Sequence, residues 1–143
     1  MQLDPNIPAL SIRQPWAICV AHGIKPVENR TRRTRYRGKF YIHASGTYTQ
    51  QDYLGFFAFV TSMSPRIRPE MVPVELMEEV PHQVGGIIGE AELVDCINVY
   101  SHRVHNPWFT GPYGWVIANA KPLPFVPCKG KLGFFKPKIK GVP

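Results

Sequence analysis

The sequence predicts an α+β domain in which strands outweigh helices. Two observations carry that expectation. The 15 prolines and 12 glycines interrupt any long helical period. Strand-like segments also fall towards both ends of the chain, as in "ALSI", "GKFYIHAS", "VGGIIGEAELVDC" and "YGWVIANA". At 143 residues the chain suits one domain with a sizeable core.

Taken in order, "ALSI" reads as a short first strand. It runs into "RQPWAICVAHG", a helix of about two turns with Pro15 in its first turn and Gly23 as its C′ stop. "KPVENR" reads as extended, with Pro26 confining it to a sheet edge or a strand start. "GKFYIHAS" alternates, with Phe40, Ile42 and Ala44 on one face and Tyr41 and His43 on the other. Thr49 and Asp52 then form a capping box that opens the main helix, over residues 49–63. Tyr53, Phe56, Phe57 and Val60 recur at helical spacing and are expected in the core. A loop follows, then one short acidic helix over Pro73 to Val80. The Gly86 and Tyr113 strands come next, "CKGKLGFF" closes the sheet, and 136–143 reads as a basic tail. No repeat or linker divides the chain, so residues 1–143 are expected to form one domain with its core at about 9–135.

The net charge of +7 is unevenly distributed. Six of the 17 basic residues lie between Arg30 and Lys39, and six more are lysines between Lys121 and Lys140. No acid occurs from Asn29 to Gln51 or after Asp95. Such polarity suits a polyanion such as RNA or another nucleic acid, and equally a solvated face. No apolar run approaches the roughly 18 residues of a membrane span, and the N-terminus lacks a signal-peptide pattern. Cys19, Cys96 and Cys128 are odd in number and lack CxxC spacing, which suits reduced thiols. A cytoplasmic protein without a membrane partner is the expectation.

The familiar phosphate, dinucleotide, hydrolase and zinc motifs are absent, so neither cofactor nor metal is expected. His102 and His105 have HxxH spacing in a loop without a neighbouring acid or cysteine, and read as structural or surface residues rather than a metal site. Cys19 and His22 share a helix, but Cys19 lies within the apolar run "WAICVA" and reads as core. That leaves Lys25 and Glu28 as candidate catalytic residues. Lys25 stands where the first helix gives way to an extended segment, and Glu28 follows three residues on. In a shared cleft the pair can polarise a carbonyl, move a proton or hold a ligand. The same spacing also suits a salt bridge at a barrel rim. Arg32, Arg33, Arg35, Arg37 and Lys39 are the candidate phosphate contacts.

Five segments together resemble an ASCH domain, a family of the PUA-like superfamily. They are "LSIRQPWA", "HGIKPVENRTRRTRYRG", "YIHAS", "GGIIGEAELVDC" and "GPYGWVI", spread from about Ala9 to Phe135. The resemblance implies a small, partly open β-barrel with flanking helices. It also implies a basic cleft between first helix and barrel that takes RNA or a nucleoside-like small molecule. Lys25, Glu28 and Arg30 match the family's GxKxxExR pattern. Ser11, Gln14 and Trp16 match the SxRQPW segment bordering the cleft, and Tyr113 and Trp115 match aromatic positions of the closing strand. Some relatives deacylate N4-acetylated cytidine with a lysine, a threonine three residues later and a distant glutamate. Here Lys25 is present, Glu28 occupies the threonine position, and no acid follows Asp95. Other relatives have been proposed as ribonucleases. The resemblance therefore supports an RNA- or nucleotide-binding module, with a small hydrolase as the alternative.

Overall fold

A computed structural model describes residues 2–100 and 106–138. His102, His105 and the last five residues lie outside the described part. Six strands form one sheet in the order β2-β5-β4-β3-β1-β6. They are β1 (Ala9–Ile12), β2 (Val27–Arg30), β3 (Gly38–Ala44), β4 (Gly86–Asn98), β5 (Tyr113–Pro127) and β6 (Phe134–Phe135). The helices are α1 (Trp16–Ala21), α2 (Gln50–Ser62) and α3 (Val74–Glu79). Every strand pairing is antiparallel except β1 with β3.

The sheet curls into a half-barrel, because register shifts interrupt β4 against both neighbours, between Ile42 and His43 on one side and at three places along β5 on the other. Each such irregularity bends a strand and increases its twist. The curl is measurable from side chains. β2 and β1 stand four places apart in the sheet order, yet an Arg30 guanidinium nitrogen reaches Ser11 O at 2.8 Å. Trp115 of β5 likewise stacks on Phe134 of β6 at 5.6 Å and 8°. Phe40, Ile42, Ile88 and Leu93 fill the interior, fully buried. Each such side chain contributes about 1.5–3 kcal/mol over leaving it in water.

β5 runs further than "YGWVIANA" suggests, through Pro122, Pro124 and Pro127. Among the described residues β2 pairs with β5 over Tyr113 to Val116, and no strand pairs with that edge of the later half of β5. Proline, which lacks an N–H to donate, is tolerated there.

The capping box on α2 is present. Thr49 Oγ1 accepts from Asp52 N at 3.2 Å, and Asp52 Oδ2 accepts from Thr49 N at 2.8 Å. Arg13 also donates to Asp52 and ties this helix to the chain after β1. The expected apolar stripe needs correction. Phe56 and Val60 are buried, whereas Tyr53 and Phe57 are exposed and stack on each other at 6.2 Å. The helix meets the body along one row, where Trp16 packs edge-on against Phe56 and Phe59. The adjacent i, i+4 row, Tyr53 and Phe57, has no covering element among the described residues.

Candidate nucleotide-binding site

The site begins at the end of α1. Gly23 has φ +73°, a conformation that side-chain-bearing residues rarely adopt, and it stops the helix. The amides of Ile24 and Lys25 both donate to Cys19 O, at 2.9 and 3.1 Å, and turn the chain towards β2. Lys25 is thereby held inside the protein, 3% exposed, with Glu28 at 7%.

A buried charge is stable only when paired and hydrogen-bonded. Lys25 Nζ donates to Val27 O and, at 3.2 Å, to Glu28 Oε1. Glu28 Oε2 in turn accepts from Arg30 Nε at 2.9 Å. The carboxylate is clamped between two cations, and the three groups carry a formal net charge of +1. An ammonium has three N–H donors. Val27 O and Glu28 Oε1 take two, so among the described residues one donor is left over. Trp16 lies alongside, with Lys25 Nζ 5.8 Å from its ring centre, and Trp115 underlies Arg30 at 5.4 Å.

These groups line a cavity of about 540 Å³. Ser11, Trp16, Lys25, Glu28 and Arg30 converge on it. Two other expected ligand contacts do not. Gln14 is fully buried; its Oε1 accepts from Ile18 N at 3.0 Å and its Nε2 donates to Gln83 O at 2.9 Å. It satisfies an otherwise open amide of the first turn of α1, a structural duty that removes it from the cleft. Tyr113 is outside the cavity lining, and its ring lies 6.0 Å from the Arg33 guanidinium.

Arg32, Arg33, Arg35, Arg37 and Lys39 are exposed. Arg37 approaches Asp95 at 3.9 Å and Lys39 approaches Glu90 at 3.7 Å, both loose surface pairs. Arg32, Arg33 and Arg35 make no salt bridge among the described residues.

Asn29 and Thr110 also line the cavity, and sequence reasoning missed both. Asn29 Nδ2 donates to Trp108 O, and its Oδ1 accepts from Thr110 N, each at 2.9 Å. One side chain thus pins the loop that carries Thr110. Asn29 lies inside the "ENR" segment, but its partner is 81 residues away, so no local pattern signals the contact. Cys19 lies behind the site, where burial pushes its thiol up to about 12 against the lowering influence of Lys25. It is a core residue.

A six-stranded curled half-barrel with three helices is consistent with a PUA-like fold. The model of the ASCH domain matches residues 10–123, most of the chain, and the protein belongs to that family. No curated protein matches the sequence.

Proposed function

We propose that the protein binds single-stranded RNA, with the Lys25–Glu28–Arg30 cavity taking one nucleotide and the run from Arg32 to Lys39 guiding the neighbouring phosphates. ASCH domains are generally thought to bind RNA. One observation carries the reading for this chain. A rigid charge cluster of net +1, with a spare ammonium donor and the Trp16 ring, faces a cavity of about 540 Å³. That volume falls in the range of small-ligand sites, and an aromatic beside a cation suits a base with its phosphate.

Lys25 and Glu28 were also candidates for catalysis. Both oxygens of Glu28 already hold charged donors, which favours a clamp that orients Lys25 and Arg30 over a group that moves protons.

The test is the salt dependence of binding to a fluorescently labelled single-stranded RNA. Log affinity falls linearly with log salt by about 0.7 per phosphate contacted. Arg33→Ala with Arg35→Ala flattens the slope by up to about 1.4. Binding that ignores salt, or a slope unchanged in the double variant, rejects the basic run as a phosphate track.

A further inference from the structure

We infer that Ser11 and His43 form a nucleophile–base pair for acyl transfer, hydrolysing a carboxylic ester that carries an anionic group. This inference stands apart from the RNA-binding reading. Ser11 and His43 are direct register partners in the parallel β1–β3 pairing, which places their side chains together on one face. Ser11 Oγ lies 3.0 Å from His43 Nδ1, and His43 Nε2 lies 2.6 Å from Cys128 O.

The tautomer follows from the partners. A carbonyl oxygen only accepts, so Nε2 carries the ring proton and Nδ1 presents its lone pair. Ser11 Oγ–H therefore donates to Nδ1, the arrangement in which a histidine activates a hydroxyl. The Cys128 carbonyl orients the ring and stabilises it when protonated, the duty a carboxylate performs in a three-residue triad. His43 is 2% exposed, and burial lowers its pKa against the raising effect of the Cys128 carbonyl, which keeps it neutral and able to accept a proton.

Access and charge are also in place. Ser11 lies on the wall shared by the 540 Å³ cavity and a neighbouring one of about 590 Å³, and His43 lines the latter. Among the described residues, the other titratable groups of that second wall are Lys129, Lys131 and Cys128, whose thiol burial holds protonated. The lysines favour an anionic substrate and the oxyanion formed during attack. Gly130 closes over the pair. A Cβ there would sit 2.5 Å from His43 Cε1 and 2.7 Å from Ser11 Oγ, so only glycine allows the approach.

In the reaction, Ser11 Oγ bonds to the acyl carbon while its proton passes to Nδ1. The ester C–O bond breaks, and the leaving alcohol takes that proton. Water then gives a proton to Nδ1 as its oxygen bonds to the acyl carbon. The C–Oγ bond breaks, the proton returns to Ser11, and a carboxylic acid departs.

A fluorophosphonate, which phosphonylates activated serines, tests the pair on the full chain, with the adduct located by peptide mass spectrometry. The expected result is one adduct on Ser11, absent in Ser11→Ala and formed at least about 100-fold more slowly in His43→Gln. The rate is also flat from pH 8 down to about 6.5, the ordinary histidine value, and falls at lower pH. Three results overturn the inference: a folded wild type that stays unlabelled, an adduct on another residue, or a folded His43→Gln variant labelled at the wild-type rate. Should His43→Gln not fold, the pH profile decides. A rate that climbs tenfold per pH unit from 6 to 9 means hydroxide activates the serine, and the pair is merely structural.

Discussion

Replacing Glu28 with glutamine keeps the shape of the site and removes one charge. The carboxylate separates Lys25, held at 3.2 Å, from Arg30, held at 2.9 Å. Glutamine can still accept one of these bonds, but two cations then face each other without an intervening anion. Removing one partner of a buried pair costs about 3–5 kcal/mol. Arg30 keeps a side chain 26% exposed and opens to the cavity, so water relieves part of the strain and the lower end, about 3 kcal/mol, applies. For a domain of this size that lowers Tm by roughly 10 °C. The assay is urea unfolding followed by tryptophan fluorescence, run as a cycle of Lys25→Met, Glu28→Gln and the double variant. The double variant loses both charges together and is expected to be more stable than the summed single losses by about 2 kcal/mol. Additive losses within about 0.5 kcal/mol would show that the pair is not energetically coupled and would refute the clamp.

Thr49→Ala removes the cap of α2 and costs about 1 kcal/mol, read from the same urea curves. The Asp52 carboxyl is held below its usual value, chiefly by the Thr49 amide and further by the Thr49 hydroxyl and Arg13, so its contribution is full above about pH 3.8 and is lost as pH falls through the lowered value; Asp52→Asn flattens that acid limb. His43 also has a lowered pKa, so below about pH 6.5 the unfolded chain takes up its proton first; stability falls with decreasing pH there, and a flat profile between pH 7 and 5 contradicts the burial of a neutral ring. With its thiol at about 12, Cys19 resists iodoacetamide at pH 8 while half-buried Cys96 is alkylated; equal rates would place Cys19 outside the core.

Local patterns made much of this legible. The alternation in "GKFYIHAS", the Thr49–Asp52 spacing and the glycine stop at Gly23 each depend on neighbours within a few residues, and each has its element. Lys25, Glu28 and Arg30 were readable together because one short segment carries all three. What escaped depends on the far side of the fold. Tyr53 and Phe57 have the helical spacing of core residues, but which row of a helix is covered is decided by Trp16, more than 30 positions earlier. Gln14 sits between cleft residues in sequence, yet its amide is consumed by Ile18 and Gln83. Ser11 and His43 meet only because β1 pairs parallel with β3, a register that neither segment displays alone.

The most direct test of the binding account is an ¹⁵N NMR titration with a short single-stranded RNA, following the Trp16 indole N–H and the Arg30 Nε–H. If one nucleotide enters the cavity, both signals shift and saturate together with the backbone amides of Arg32 to Arg35, and all of them lose that response in Lys25→Met. Saturating shifts along Arg32 to Lys39 with Trp16 and Arg30 unmoved would contradict the account, leaving a basic surface beside a structural salt bridge.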